Sequence, residues 1–403
     1  MSFGRKKPLD VSFSAVFYFC NMFSFFKKKE YKLTPIQELL LALLRAQLWL
    51  KPVDDIVLPS SLDEWEELIN LGYKQTVICF IAKACLRHPD ASNIPSDIKE
   101  EFEAVLEENK RIHEYHNSVL IELITKFEEQ GLHPILLKGQ GIAQMYPEPE
   151  LRQCGDIDLF FVSEEYECAK QIIAAIEDEN PIKRKDNSKH SEYVFKGITI
   201  EMHHKVCDIP NPTYDNQFQV WTQNCVNEKK ELMIMHKFIY VNNPYFALIH
   251  CVTHILHHFE TETVSLRQVC DLMMMEMFYR EKIQLRKFDT LLKRYGLVRF
   301  WDVINTLMIN NLEMTSYYVG TSHSTSAFLL LGRIMKLGAI SFFQSDIKPG
   351  KGFMKYPMKL YNFYKYNIDF LRLYNICGMQ LYWRHKMRVC KALRRNFRFL
   401  GRL

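Results

Sequence analysis

Leu136-Leu137-Lys138-Gly139-Gln140-Gly141, followed after a short interval by Gly155-Asp156-Ile157-Asp158-Leu159, is the stretch of this 403-residue chain whose reading decides the fold. Pro134 to Leu137 is a short apolar run with strand character, and Ile157 to Val162 is a second one. Side chains alternate along a strand, so Asp156 and Asp158, two apart, face the same way. Two carboxylates held that close repel each other unless a cation lies between them. Magnesium, or manganese in its place, prefers such oxygen ligands and shares them with phosphates. A solvated turn with two acids is the plain alternative. Upstream, glycines that follow a strand and precede a short helix let backbone N–H groups approach an anion. Lys138 adds a point charge, and Arg152 is suited to bidentate phosphate contact. A strand–turn–helix with a surface lysine is the plain alternative there.

Downstream, Ser163 opens a helix that runs to about Asp178. Ser191–Phe195 and Ile198–Met202 read as a hairpin turning at Lys196-Gly197. Glu201, near the end of that hairpin, is positioned to bring a third carboxylate and to take a proton from an attacking hydroxyl. His203, two residues on, faces the same way. Towards the N-terminus, Thr34-Pro35 with Gln37, and Ser61 with Glu64, carry helix-start signals. Ser96 opens a long helical pattern in Ile98, Phe102, Val105, Ile112, Val119, Leu123 and Phe127 that stops at Gly131. Beyond Asn243, residues 244–259, 263–280, 287–295, 299–313 and 325–341 read as helices. The class is therefore α+β, a small mixed sheet flanked by helices. Residues 1–30 form a tail, 31–130 an N-terminal helical region, 131–230 the core, and 231–403 a C-terminal helical domain ending in a basic tail.

Composition bounds the answer. The chain is 48% hydrophobic and 25% charged, which excludes a disordered or fibrous protein. Eleven scattered cysteines with no CxxC pair exclude a disulfide framework or a zinc finger and fit a reducing compartment. The expected location is cytoplasmic, with the Phe- and Ser-rich run from Asp10 to Phe26 too broken and short for a membrane span. Net charge is only +5, but Arg384–Leu403 holds eight Lys or Arg and no acid. Trp383, Phe397 and Phe399 interleave with those cations, so the segment suits nucleic acid or a membrane surface as well as a solvated or protein-binding face.

His250, His254 and His257 fall on or near one helical face, with Arg267 and Asp271 one turn apart and able to pair. Packing between helices, contact with substrate and a dedicated metal site all remain open for them. The metalloprotease pattern His-Glu-x-x-His is absent.

Leu-Leu-Lys-Gly, Tyr146-Pro147, Arg152, Gly155-Asp156-Ile157-Asp158-Leu159, Ile200-Glu201-Met202-His203, and the His250/His254 pair with Leu266-Arg267 and Asp271 after it together resemble the uncharacterised bacterial nucleotidyltransferases of the polymerase-beta-like superfamily. The resemblance implies a nucleotidyltransferase core in which Gly139 is the phosphate-loop glycine, Asp156 and Asp158 hold metal, and Glu201 is the third carboxylate. Gln140 stands where the wider superfamily carries Ser or Gly, in the nucleotide-binding position. The implied reaction is transfer of a nucleoside monophosphate from a nucleoside triphosphate to an unknown hydroxyl acceptor. His203, His250, His254, Arg267 and Asp271 are then candidates for substrate contact. A metal-dependent glycosyltransferase using Asp-x-Asp, and a non-catalytic nucleotide-binding or regulatory protein of the same fold, are the alternatives. The first calls for a larger nucleotide-binding sheet upstream, where this chain reads helical. The second gains if Glu201 stays away from the acid pair.

Overall fold

A computed structural model describes residues 32–176, 189–209, 211–261, 264–315 and 324–338. The N-terminal tail and the basic segment Arg384–Leu403 lie outside the described residues.

The described residues begin with four α-helices: α1 (Pro35–Leu48), α2 (Leu62–Lys74), α3 (Ile78–Leu86) and α4 (Ser96–Glu128). Thr34 and Ser61 each close a capping box, with Gln37 and Glu64 reaching back to the cap backbone. The 33-residue α4 ends before Gly131, whose φ of 75° is the left-handed conformation a glycine adopts without strain.

Next come β1 (Ile135–Leu136), a single turn α5 (Gln140–Ala143), β2 (Ile157–Phe160), α6 (Ser163–Ile176), the hairpin β3 (His190–Phe195) and β4 (Ile198–His203), and α7 (Pro212–Cys225). The β3–β4 turn has Lys196 and Gly197 at φ 52° and 75°, the paired positive values of a tight hairpin turn. A second hairpin, β5 (Lys230–Ile234) and β6 (Lys237–Val241), comes after α7. The remaining described helices are α8 (Pro244–Thr261), α9 (Leu266–Tyr279), α10 (Leu285–Arg294), α11 (Val298–Leu312) and α12 (Ser324–Leu337). None of the described helices is long and apolar enough to cross a membrane.

The six strands form one mixed sheet in the order β3-β4-β2-β1-β6-β5. β2–β4 and β1–β6 are parallel, and the other neighbours are antiparallel. The α+β expectation therefore holds. The sheet also takes in β5 and β6, which reach beyond residue 230 into the stretch read as helical. Their turn at Met235 has a positive φ on a residue that carries no turn signature, so the hairpin is silent in sequence. α3 is equally hidden, because Ile78-Cys79-Phe80-Ile81-Ala82 is buried on every side and shows no amphipathic period.

Pleating divides the sheet's residues between two cores. Ile157, Leu159, Ile200 and Met202 pack with Val119, Leu120, Leu123, Ile124 and Phe127 of α4 and with Tyr166, Ala169 and Ile173 of α6. Ile135, Leu137 and Phe160 point the other way, into a larger core with the N-terminal helices and α8–α12. Phe160 meets Phe246 of α8 edge-on, with ring centroids 5.8 Å apart. The functional side chains of the sheet belong to this second face.

Phe127 is fully buried and meets Phe161 edge-on, with centroids 5.1 Å apart. Phe127→Ala opens a cavity at the centre of the α4 face, and we expect it to lower the unfolding free energy by about 3–5 kcal/mol. Urea denaturation reads this as a lower midpoint at unchanged slope.

Candidate active site

Asp158 precedes Phe160 by two, so it shares that residue's face of the sheet. The parallel register pairs Asp158 with Glu201 and Phe160 with His203. The antiparallel hairpin pairs Glu192 with Glu201 and His190 with His203. Cross-strand partners point the same way, so β2, β4 and β3 bring Asp158, Glu201, His203, Glu192 and His190 to one surface. Asp156, expected on the strand, lies one residue before β2 begins. It still joins the group: one carboxylate oxygen each from Asp156, Asp158 and Glu201 lies within 4.8 Å of the other two.

Lys138 enters from the end of β1. The Leu137 N–H donates to the Asp158 carbonyl at 3.0 Å, which fixes the next side chain beside the carboxylates. The Lys138 ammonium is 3.0 Å from Asp158 Oδ1 and 3.1 Å from His254 Nε2. The chain then bends at Gly139, where φ is 56° and a Cβ would stand 3.4 Å from the Asp156 carbonyl oxygen. A side chain there is strained by the backbone angle, and glycine adopts that angle without cost. Gln140, the next residue, is completely buried, and neither its Oε1 nor its Nε2 has a hydrogen-bond partner among the described residues.

Each charge modifies the others. The negative Asp158 pushes the Asp156 carboxyl up to about 6, with burial adding to the shift and Lys138 opposing it. For Asp158, burial alone would raise the pKa, but Lys138 and the hydrogen bond from His203 hold it well below the usual carboxylate range. Burial likewise works against the Lys138 ammonium, and Asp158, Asp156 and Glu201 overcome it, so its pKa is raised. His203 Nε2 sits 3.0 Å from Asp158 Oδ1 and 3.1 Å from Glu201 Oε2. Burial depresses its pKa, and the two hydrogen-bonded acids lift it above the ordinary histidine value.

The α8 histidines divide. Burial, then the nearby Lys138 charge, keeps His254 far below its normal pKa, so its neutral imidazole accepts from the ammonium. His250, pushed down to about 3 by burial, packs its ring against Phe246 and His254. The third member of the ladder is His258, whose Nε2 lies 3.1 Å from His254 Nε2, rather than the His257 that the sequence suggested. Spacing in fours from His250 was the signal that pointed to His258.

Arg152 requires a correction. Its guanidinium is buried and bidentate to Asp271, with Nε–Oδ1 2.7 Å and Nη2–Oδ2 2.8 Å, so it is committed to that acid rather than available as a phosphate clamp. Tyr146 Oη donates to the same Oδ1 at 2.7 Å. Arg267, expected to pair with Asp271, instead donates from Nη1 to the Gln153 carbonyl at 2.7 Å. Residues 146–153 are thus tied to α9 by buried polar contacts, and these bonds turn Arg267 and Asp271 towards the β1–β2 connection rather than towards the three carboxylates. Burial raises the Asp271 carboxyl, but Arg152 outweighs it and lowers the pKa on balance.

His190 and Glu192 were missed. Counting outward from the Lys196-Gly197 turn sets Glu192 opposite Glu201 within the hairpin as read, and His190 opposite His203 one pair beyond its bounds.

A family model described as "Uncharacterised nucleotidyltransferase" matches residues 61–308, more than half of the chain, and the protein belongs to that family. No curated protein and no solved structure matches it.

Two outcomes test this geometry. The Asp156 carboxyl is raised to about 6 in the fold, above its unfolded value. Below the unfolded value it is protonated in both states and costs nothing. Above about pH 6 it is ionised beside Asp158, and the stability tied to its proton is lost as pH rises through that value. Asp156→Asn should therefore stabilise the chelator-treated protein by up to about 3 kcal/mol at alkaline pH and by almost nothing in acid, read from melting curves across pH. Arg152→Met strands Asp271 and should cost about 3–5 kcal/mol, whereas Arg152→Met with Asp271→Leu recovers most of the loss in urea titrations.

Proposed function

Taking family membership as the premise, we propose that this protein transfers a nucleoside monophosphate from a nucleoside triphosphate to a hydroxyl acceptor. The observation that carries this reading is the approach of Glu201 to Asp156 and Asp158 across the parallel β2–β4 pair. Two acids in a turn have many explanations. A third arriving from a separate strand on the same face, beside a glycine bend and a buried ammonium, favours a phosphoryl-handling centre over a non-catalytic module. The helical character of the first four described elements supports this reading over the glycosyltransferase alternative.

The donor set suits a hard divalent cation, since Asp156, Asp158 and Glu201 offer clustered carboxylate oxygens. These three would hold magnesium or manganese, which when bound supplies charge neutralisation and polarisation of the phosphate oxygens.

The chain's own groups do the rest. Lys138 stays cationic at any physiological pH and serves as the point charge for the triphosphate, steered by the neutral His254 that accepts from it. The bend at Gly139 lets phosphate approach the backbone, and the amide of Gln140, in the turn just beyond it, is a donor and acceptor without a partner among the described residues. Glu201 takes the proton of the acceptor hydroxyl as that oxygen bonds to the α-phosphorus and the bond to pyrophosphate breaks. His203, hydrogen-bonded to Asp158 and Glu201 together, holds the base in position. His250, Arg267 and Asp271 support the frame through packing and backbone anchoring. The free cysteines, six of them buried among the described residues, fit a reducing compartment such as the cytoplasm.

Calorimetry with each nucleoside triphosphate in magnesium should register binding that Asp156→Asn plus Asp158→Asn abolishes. Glu201→Gln should keep part of that binding while lowering transfer from an α-labelled triphosphate into cell extract by about 10²–10⁴-fold. Unchanged binding in the double variant contradicts the proposal.

A further inference from the structure

Two groups of ligating side chains share Glu201. One is the cluster it forms with Asp156 and Asp158. The other is His190, Glu201 and His203, which present one ligand atom each within 4.8 Å of one another. We propose that this second group is a distinct cation site, selective for a transition-metal ion of the zinc or cobalt class. It does not depend on the nucleotide reading.

The donor chemistry makes the distinction. Three carboxylates suit magnesium, which binds imidazole poorly. Two imidazoles and a carboxylate are a set that zinc, cobalt and their neighbours take readily. The geometry comes from the sheet rather than from a loop. His190 and His203 are register partners across the β3–β4 hairpin, and their ring centroids are 4.9 Å apart. Six consecutive residue pairs fix that hairpin, so the backbone positions that carry the two imidazoles are held in register. Glu201 reaches both: Oε2 is 3.1 Å from His203 Nε2, and Oε1 is 4.0 Å from His190 Nε2. Glu192 adds negative charge at the rim, with Oε1 3.6 Å from His190 Nε2.

The site is also reachable. The side chains of His190, Glu201 and His203 are 19%, 20% and 11% exposed, so an ion can enter and keep a position open to water or substrate. Asp158 Oδ1, 3.0 Å from His203 Nε2, joins this group to the carboxylate cluster. An ion on the imidazole side draws on the same carboxylate that the proposed transfer uses as base, so its occupancy bears directly on Glu201.

The test uses the full chain, freed of metal by chelation and then held in excess magnesium so that the oxygen-only group is saturated. Cobalt(II) is added, and its visible d–d absorption is followed. We expect uptake by the wild-type chain that weakens at least about tenfold in His190→Ala. Asp156→Asn should leave the cobalt spectrum in place while losing magnesium-dependent nucleotide binding, which separates the cation site from the nucleotidyl-transfer reading. In His190→Cys a thiolate replaces the imidazole, and cobalt binding should return with a sulfur-to-cobalt charge-transfer band, which a merely structural role of His190 does not produce. Melting curves of the metal-free variants verify folding. Failure of the wild-type chain to take up cobalt in excess magnesium overturns the proposal. So does equal affinity in His190→Ala, or a His190→Cys protein that binds without the new band.

Discussion

Mutual repulsion among Asp156, Asp158 and Glu201 is the constraint around which the centre of this molecule is arranged. Three carboxylates on one face of a partly buried sheet are costly to hold together. The strands hold them because β2 and β4 are paired over four consecutive residues and backed by the α4–α6 core. The ammonium of Lys138 then supplies compensating positive charge, and the imidazole of His203 hydrogen-bonds Asp158 and Glu201 together. His254 completes the arrangement from α8, because a neutral imidazole beside an ammonium steers it without adding to the charge.

The larger helical core has a clear part in this. It covers the face on which the carboxylates lie, through Phe160 against Phe246 and through the buried length of α8. Burial works against the ammonium of Lys138 there, and the three acids around it more than offset that effect. Covering the face strengthens every electrostatic interaction there, since less water screens it. The same enclosure makes His250 a packing residue, although its spacing resembles that of a ligand.

Local features of the site were legible in sequence, and distant pairings were not. The alternation of Asp156, Asp158 and the apolar residues between and after them set one face. Lys196-Gly197 marked a hairpin, and Gly139 marked a bend that its φ of 56° bears out. Each of these depends on neighbours within a few residues. The alignment of Asp158 with Glu201 depends on two parallel strands separated by a helix, which no local pattern encodes. Arg152 shows the limit most plainly. Its charge suggested phosphate, but its partner Asp271 is 119 positions away and becomes a neighbour only when α9 packs against the β1–β2 connection. The β5–β6 hairpin escaped for a similar reason: its turn residue takes an unusual backbone angle that its identity does not announce.

The tether between Arg152 and Asp271 has a mechanical meaning of its own. The connection between β1 and β2 carries Gly139 at one end and Asp156 at the other, and it is pinned in between to the first turns of α9 by Tyr146, Arg152 and the Gln153 carbonyl. That connection is therefore fastened to α9 by charged and hydrogen-bonded contacts, most of them buried, rather than left as a slack loop. The last of these fastenings, at the Gln153 carbonyl, lies three residues before Asp156, so the helical half of the molecule anchors the loop that carries the first carboxylate.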